Sequence, residues 1–392
     1  MIKTFKFKLY NSKRNKKIHY QIDAAGLTYN HCIALHRRYY RMYHNKYLDK
    51  FKLINHLVKL KKCPKFWYLR EFGSQAVQNV AERIDFGYMK FFSKQNRRPP
   101  KFRKVSKCKS FTLKQHGYKL DEETHTIFIR KQKYRYHKDR EIEGIIKTVT
   151  VKRDMVGDIY IFITCKNEDD NEVIPRMGKS IGFDFCLKKH FLVAPSEEDD
   201  VDMPMFFKQN LRKLENVQKR VSRKLEANID HYRKGPRGGR IPIWKKPVER
   251  CTNIQRGFKE VARIYRKSSN QRNDYHWKLA YELCEKYSVI SLENLNMVWM
   301  QRGHGKKVGD YGFSNFVRVL SYVASKTGTT VVIVDRTFPS SQLCSICGYK
   351  NKNLKDVRIE EYDCPECGTH HNRDRNAAAN ILHEGLRILE NQ

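Results

Sequence analysis

The sequence predicts an α+β protein with several domains, and three observations carry that prediction. In residues 1–175, strand-like segments with alternating apolar and basic residues lie on both sides of a helical segment. In the rest of the chain, long helices with basic faces alternate with short apolar strands. Close to the C-terminus, two Cys-x2-Cys pairs predict a small metal-bound insert. With 392 residues, the chain is long enough for two or three domains.

The chain is strongly basic, and this limits its partners. Lysine and arginine number 79 against 42 aspartate and glutamate residues, which gives a net charge of +37. Nucleic acid is the first candidate partner, because neutralised phosphates release their counterions. An anionic membrane surface is disfavoured, since no lipidation signal and no stretch of ~18 apolar residues accompanies the charge. We therefore expect a soluble, intracellular protein without a membrane partner.

Eleven cysteines do not indicate a secreted disulfide framework. Four of them have a metal-binding spacing, and the other seven are scattered along the chain. In a reducing compartment these seven are most simply packing residues. They are Cys32, Cys63, Cys108, Cys165, Cys186, Cys251 and Cys284.

The N-terminal part predicts a β-domain with a helical insert. Residues 2–10 alternate apolar and basic side chains as in a half-buried strand. Residues 24–60 and 72–92 have helical spacing, and the prolines in 97–104 end the helical segment. Further strands are predicted at 110–115, 126–132 and 146–166.

The middle of the chain predicts a hairpin followed by a helix pair. Residues 180–196 carry two strands, the first of which places Asp184 inside an apolar run, and the acidic residues 197–200 are predicted as a solvated tip. Helices are predicted at 206–226 and about 253–287, joined by a mobile loop rich in glycine, proline and arginine at 228–247.

A second apolar strand, residues 289–297, carries Glu293 near its end. Residues 301–313 are predicted as a flexible glycine-rich loop, because they lack the spacing of a P-loop. A helix at about 314–327 and a strand at 330–335 complete this part.

The strongest single motif is a four-cysteine pattern. Cys344 and Cys347 are separated from Cys364 and Cys367 by sixteen residues, and each pair can place two thiolates on one tight turn. The pattern predicts one structural zinc ion. Seven residues after the last cysteine, Asp374 begins a helical run.

Three carboxylates have the order of an RNase H-like nuclease site: a strand with Asp184, a strand with Glu293 and a helix with Asp374. At one edge of a mixed sheet, such carboxylates hold two divalent cations roughly 3.5–4 Å apart for phosphodiester hydrolysis. Hard oxygen ligands favour magnesium, with manganese as an alternative, while zinc stays at the thiolates.

The sequence also resembles TnpB, the RNA-guided DNA nuclease encoded by insertion sequences and ancestral to type V CRISPR effectors. The resemblance covers nearly the whole chain. It is carried by IGFDFCLK (181–188), VISLENLN (289–296), SQLCSICG (341–348), CPECG (364–368), NRDRNAAANI (372–381) and PPKFRK (99–104).

This resemblance implies a domain layout. A β-barrel-like wedge domain would hold an inserted helical recognition domain, and a RuvC nuclease domain would hold a zinc ribbon that binds target nucleic acid. The implied ranges are 1–21 and 98–175 for the wedge domain, 22–97 for the recognition domain, 176–340 and 372–392 for RuvC, and 341–371 for the ribbon.

The resemblance also implies an activity and partners. Asp184, Glu293 and Asp374 match the family's catalytic triad. The family binds a guide RNA from the transposon end, one protein per RNA in our expectation, in the prokaryotic cytoplasm. It reads a short adjacent motif in double-stranded DNA, opens an R-loop and cuts both strands. Polar residues on the second recognition helix lie near that motif, and Ser74, Gln75 and Gln78 occupy the comparable stretch, since glutamine can bond adenine edges.

Two positions differ from the family pattern. Cys186 stands where the family often has glycine, so its side chain either adjusts a bulge or crowds the metals or substrate. His371–Asn372 replaces the usual His-Asp, which removes one acidic residue but leaves Asp374. Because the triad is complete, the sequence favours an active nuclease.

Other functions remain open at this point. A repressor-like protein of the same fold would bind DNA with its guide but not cut it. A compact type V CRISPR effector would use the same chemistry with CRISPR RNA. A transposase with a nucleophilic tyrosine is disfavoured, because no tyrosine has a recognisable setting for that role.

Overall fold

A computed structural model describes residues 2–43, 47–114, 116–167, 173–187, 190–236, 238–356 and 358–391 of the chain. The chain divides into two units, Met1–Asp170 and Asn171–Gln392. Within the described residues, no helix is both long and apolar enough to cross a membrane.

The first unit contains a seven-stranded antiparallel sheet. In its first strand, Phe5, Phe7 and Leu9 are buried and alternate with more exposed residues, as the period-two pattern predicts. The strands lie in the order β2-β6-β7-β1-β5-β4-β3. They are β1 (Ile2–Leu9), β2 (Ser110–Leu113), β3 (Tyr118–Asp121), β4 (Thr126–Ile129), β5 (Gln132–His137), β6 (Ile145–Arg153) and β7 (Ile159–Lys166).

This sheet is nearly closed, and the chain connectivity explains why. β2 and β3 occupy opposite edges of the sheet, yet only residues 114–117 separate them in the sequence. A connection this short cannot cross a flat seven-stranded sheet, whose neighbouring strands are about 4.8 Å apart. The sheet must therefore curl until its two edges approach each other, which agrees with the predicted barrel-like domain.

Between β1 and β2, the described residues form four α-helices, so the predicted strand–helix–strand order is confirmed. The first helix begins nine residues before the predicted position 24, because Ile18 and Ile22 continue its buried stripe. The predicted domain boundary at 22 therefore falls inside a helix. The helices are α1 (Asn15–Met42), α2 (Lys50–Leu60), α3 (Tyr68–Phe72) and α4 (Ser74–Phe92).

The second unit is built on a four-stranded mixed sheet in the order β13-β12-β8-β9. The first three strands in this order are parallel, and β9 is antiparallel to β8. These strands are β8 (Ser180–Phe185), β9 (Leu192–Val193), β12 (Val289–Glu293) and β13 (Thr330–Val334).

In the described part of the second unit, five α-helices and two hairpins accompany this sheet. Its main core joins the sheet to α6 and α8, with Leu283, Ile290, Phe316 and Leu320 among the buried residues. The helices are α5 (Phe206–Ala227), α6 (Thr252–Lys286), α7 (Met297–Tyr311), α8 (Phe313–Thr327) and α9 (Arg373–Glu390). The hairpins are β10 (Ile229–Lys234) with β11 (Arg240–Trp244), and β14 (Glu361–Asp363) with β15 (His370–Asn372).

Two segments predicted as loops are regular structure. Within residues 228–247, β10 and β11 pair with each other, since His231 opposes Ile243 and Arg233 opposes Ile241. This alternation of basic and β-branched residues was hidden by the surrounding glycines and prolines.

The predicted glycine-rich loop at 301–313 lies mostly in α7. The buried Asp310 carboxylate near the end of α7 accepts hydrogen bonds from the backbone N–H groups of Phe207 and Lys208, at 2.8 and 2.9 Å. These bonds satisfy free donors in the first turn of α5. A tertiary contact therefore stabilises a helix that glycine content alone disfavours.

Helix α9 packs on the sheet through glycine contacts. A Cβ atom on Gly182 of β8 would meet the Ala378 carbonyl oxygen and lie 2.5 Å from the Leu382 nitrogen of α9. Gly385 of α9 approaches the Ser291 side chain of β12 in the same way. Larger residues at either position would push α9 away from the two strands.

Replacing Gly182 with alanine should therefore destabilise the second unit by about 2 kcal/mol, because the added methyl group meets backbone atoms that cannot rotate away. Thermal and denaturant unfolding would measure the loss. Gly309→Ala is the matched control, since a Cβ there meets nothing within 4 Å and the helix should become slightly more stable. Equal effects of the two substitutions would contradict this packing.

Candidate active site and zinc ribbon

Two of the predicted carboxylates lie at the carboxyl ends of neighbouring strands. In the parallel pair of β8 and β12, Phe183 lies opposite Leu292. The next residue on each strand is Asp184 and Glu293, respectively. The sheet register therefore places these two acidic residues side by side, although 109 positions separate them in the sequence.

The third carboxylate arrives on α9. Asn372 caps this helix by accepting a hydrogen bond from the Arg375 backbone N–H at 3.2 Å, so Asp374 lies in the first turn. Because α9 packs on β8 and β12, its first turn reaches the edge where those strands end. The structure thus brings all three predicted residues to one place.

The electrostatics of the site reflect the three neighbouring carboxylates. Burial first, and then the charges of Glu293 and Asp374, raise the pKa of Asp184 to about 8 against the opposing effect of Arg373. Burial also raises the pKa of Glu293, while a hydrogen bond from the Ser340 hydroxyl opposes the rise. A bound cation would offset the repulsion between these carboxylates and favour their ionised forms.

The donor set fits hard divalent cations. The three side chains offer only carboxylate oxygens, the ligand type that magnesium and manganese prefer. A cavity of about 390 Å³ opens beside Asp374 and is lined by Cys186, Asn372 and Arg375, among others. Its size leaves room for a phosphate group next to the carboxylates.

Cys186, the residue in the usual glycine position, contacts the site directly. Its buried thiol donates a hydrogen bond to Oδ2 of Asp374 at 3.5 Å. The side chain therefore contacts one of the three carboxylates directly.

A salt bridge that the sequence did not predict holds the start of α9. Arg375 binds both carboxylate oxygens of Asp200, at 3.2 and 2.9 Å, and donates to the Ala194 carbonyl at 3.2 Å. The Asp200 side chain is only 7% exposed and also accepts from the Ala194 N–H. The prediction of residues 197–200 as a solvated tip was therefore wrong for Asp200, because its charge is paired within the fold.

The four cysteines form the predicted metal cluster. Their sulfur atoms all lie within 4.8 Å of one another. The two turns have the same backbone bonds: Gly348 donates to the Cys344 carbonyl and Gly368 to the Cys364 carbonyl, both at 2.9 Å. Both glycines have a positive φ, of 75° and 68°, which other residues rarely adopt. Four thiolates converging from two such turns fit one tetrahedral zinc ion.

Polar side chains of α9 join this helix to the ribbon (residues 341–371) and to the residues just before it. Asn376 accepts from the Ser345 N–H at 2.8 Å and donates to the Leu343 carbonyl at 2.6 Å. Asn380, one turn further on, donates to the carbonyls of Ser340 and Leu343. The spacing of these two asparagines in NAAAN was the available sequence signal, since it places both amides on one helix face.

His371 adds a second link. Its Nε2 atom lies 3.1 Å from the Cys344 sulfur, and the side chain is buried. An imidazole this close to a thiolate can donate a hydrogen bond to it, as groups around metal ligands commonly do.

The residues predicted to read DNA lie on α4 in the first unit. Ser74 and Gln75 line a cavity of about 580 Å³ with several basic side chains, whereas Gln78 does not line it. The basic residues are Lys17, Lys61, Arg70, Arg130 and Lys131. Motif reading by these three residues stays a prediction.

Comparisons with known proteins agree with this geometry. Residues 313–381 match the family model described as "Cas12f1-like, TNB domain". A Streptomyces pristinaespiralis protein named "Putative RNA-guided DNA endonuclease" is 25% identical over 334 residues, covering 84% of this chain and 76% of the relative. An Escherichia coli K12 protein named "Putative RNA-guided DNA endonuclease InsQ" is 26% identical over 364 residues, covering 88% of this chain and 83% of the relative.

A solved structure shares the fold. The chain in "Cryo-EM structure of the Cas12f1-sgRNA-target DNA complex" is 11% identical, with a TM-score of 0.56, and the match covers 97% of this chain and 98% of that one. Together with the sequence relatives, this match confirms the predicted resemblance to TnpB-type proteins.

The purified protein should contain one zinc ion per chain, and Cys364→Ser should lose it because three thiolates hold zinc weakly. Elemental analysis measures the zinc, and hydrogen exchange over residues 341–371 reports the folding of the ribbon. Cys63→Ser is the matched control, since Cys63 is exposed and lies outside the cluster. Unchanged zinc content in Cys364→Ser would contradict the assignment.

The crowded carboxylates predict pH-dependent stability without magnesium. The pKa of Asp184 is about 8 in the folded chain and ordinarily about 3.9 when unfolded, so the folded chain loses stability as the pH rises between these values. Asp184→Asn should therefore stabilise the magnesium-free protein at pH 8 by at least about 1 kcal/mol, and by less at pH 5. Denaturant unfolding at the two pH values measures this difference. A gain independent of pH would contradict the shift.

Proposed function

We propose that the protein is an RNA-guided DNA endonuclease that hydrolyses phosphodiester bonds at the carboxylate site of its second unit. The observation that carries this proposal is the convergence of Asp184, Glu293 and Asp374 at one sheet edge. The relatives named as RNA-guided DNA endonucleases support the substrate class, and the chain's charge of +37 suits two nucleic acid partners.

The three carboxylates would hold two magnesium ions, which activate water and stabilise the leaving 3′ oxygen when bound. The chain's own contribution is to fix the ligands. β8 and β12 set the spacing of Asp184 and Glu293, while the Arg375–Asp200 salt bridge and the Asn372 cap hold the first turn of α9. Arg373 adds a positive charge that favours ionised Asp184.

The remaining roles follow from the resemblance. The first unit would act as wedge and recognition domains, and the second as a RuvC domain with its zinc ribbon. A guide RNA from a transposon end would carry the sequence information through base pairing, while the protein reads a short adjacent motif in double-stranded DNA. One protein per RNA, cleavage of both strands at the single site and a place in the prokaryotic cytosol complete the proposal.

The ribbon would shape the mouth of the active site. It is tied to α9 by Asn376 and Asn380, close to Asp374 in the same helix. This placement allows it to guide nucleic acid towards the carboxylates while zinc takes no part in the chemistry.

The two alternatives make different predictions. A repressor-like protein would give guide-dependent DNA binding with no cleavage product at any magnesium concentration. The complete triad favours cleavage over this alternative, since nuclease-inactive relatives typically lose a carboxylate. A CRISPR effector would differ only in the RNA bound, which sequencing the copurified RNA identifies.

Cleavage of target DNA by the copurified protein–RNA complex should require magnesium and the three carboxylates. Asp184→Ala, Glu293→Ala and Asp374→Ala should each lower the rate at least about 1,000-fold, because each removes a ligand of the catalytic cations. A gel assay with a labelled plasmid measures the rate.

Glu390→Ala provides the control, since Glu390 is an exposed acidic residue at the other end of α9. Its rate should equal that of the wild type. Absence of cleavage by the wild type with its RNA, or equal rates for Asp184→Ala and wild type, would refute the proposed function.

A further inference from the structure

An aromatic pocket in the first unit has features of a ligand site that the proposed function does not use. It is a cavity of about 540 Å³ between the last turns of α1 and α4, called the aromatic pocket below. Its lining includes His36, Arg37, Tyr40, Arg41, Tyr88 and Phe92. None of the described residues that line it is acidic.

The inner wall of the pocket is a short stack of rings. The His36 and Tyr88 rings are nearly parallel, with centroids 3.7 Å apart, and Tyr88 is followed by Phe92 at 6.2 Å and 27°. The inner rings are buried, whereas Phe92 is 51% exposed. Tyr40, on the α1 side, is 40% exposed. Two partly exposed aromatic side chains therefore border a space whose floor is also aromatic.

A buried polar atom at the pocket lacks a partner. His36 is only 2% exposed, and its Nε2 atom has no hydrogen-bond partner among the described residues. Leaving such an atom unpaired costs about 1–3 kcal/mol, so the polar edge of this ring is an unusual feature of the pocket floor. Burial lowers the pKa of His36 to about 4, so the ring is neutral at pH 7 and adds no positive charge to the aromatic floor.

The positive charges around the pocket favour a ligand that is part of an anionic chain. Arg37 and Arg41 lie at its rim, and the Arg37 guanidinium lies 4.6 Å from the centre of the Phe102 ring. A neighbouring cavity of about 430 Å³ shares Pro99 with the pocket and is also lined by Arg83, Arg98 and Arg103. Aromatic faces with guanidinium groups beside them are the usual platform for unpaired nucleotides.

We propose that the aromatic pocket binds an unpaired base of the guide RNA, with Arg37 and Arg41 holding the adjoining phosphates. The pocket lies at the carboxyl ends of two helices, where partial negative charge favours the neutral base over a phosphate. RNA is favoured over target DNA because loops and bulges expose bases permanently, whereas duplex DNA exposes none until it is opened. This inference rests on the proposed function for the presence of a guide RNA.

Ultraviolet crosslinking of the copurified full-length protein–RNA complex, without DNA, tests the assignment. Mass spectrometry should find ribonucleotide adducts on peptides that carry Tyr40 or Phe92. Adducts that form only after target DNA is added, and that contain deoxyribonucleotides, would assign the pocket to the displaced DNA strand and overturn the proposal. Absence of adducts on both peptides would also overturn it.

Binding of a fluorescein-labelled, 15-nucleotide unstructured RNA to the full-length chain provides the second measurement. Tyr40→Ala with Phe92→Ala should weaken binding about ten-fold, the loss expected for one stacked base, without changing affinity for the same RNA in a duplex. Both residues are partly exposed, so folding should be retained. Phe51→Ala is the matched control, because Phe51 is 67% exposed on α2 and does not line the pocket.

The outcomes separate this inference from the proposed function. If the wild type binds RNA and cleaves DNA but the double variant binds the oligonucleotide like Phe51→Ala, only the pocket assignment fails. If the wild type binds no RNA, the proposed function fails with it. A double variant that changes the oligomeric state, measured by light scattering, without changing RNA affinity would show that the pocket is a protein interface.

Discussion

The active site depends on how closely α9 can approach the sheet of the second unit. Gly182 on β8 and Gly385 on α9 leave no space for a side chain at the contact, so the helix backbone lies directly against the strands. The distance between α9 and the strands therefore determines how close Asp374 lies to Asp184 and Glu293. Three like charges oppose the approach, which agrees with the raised pKa of Asp184. Packing therefore holds together groups that electrostatics alone would separate, and under the proposed function bound cations would offset this repulsion.

Contacts with residues outside the sheet also hold α9 in place. The Arg375–Asp200 salt bridge secures its first turn to the segment after β9, and Asn376 and Asn380 secure the next turns to the start of the ribbon. All these partners are buried or half-buried, so their hydrogen bonds are strong and costly to leave unmade. Asp374 is thus positioned by a rigid helix, and not by a loop.

Much of this arrangement can be predicted from the sequence, because the relevant signals are local. The apolar runs around Asp184 and Glu293, the cysteine spacing and the helix after Asn372 each identify an element without reference to its neighbours. What the sequence hid depends on tertiary contacts. α7 contains three glycines, and the Asp310 bonds to α5 that stabilise it are tertiary contacts. Asp200 resembles a surface acid until its arginine partner is seen. The aromatic pocket was equally hidden, since the sequence does not show which rings of the helical insert are core and which border a cavity.

The asparagine bonds between ribbon and helix have a thermodynamic consequence. A zinc ion that orders the Cys344 turn also orders the Leu343 and Ser345 backbone groups that Asn376 binds, two residues from Asp374. Under the proposed function, the zinc site and the carboxylate site would therefore be coupled through one helix. Such coupling would be reciprocal: any factor by which zinc raises magnesium affinity, magnesium would return to zinc affinity. In a cell where zinc is scarce, the proposed magnesium binding at the carboxylates would then be weaker. Under the proposed function, zinc supply would therefore limit DNA cleavage.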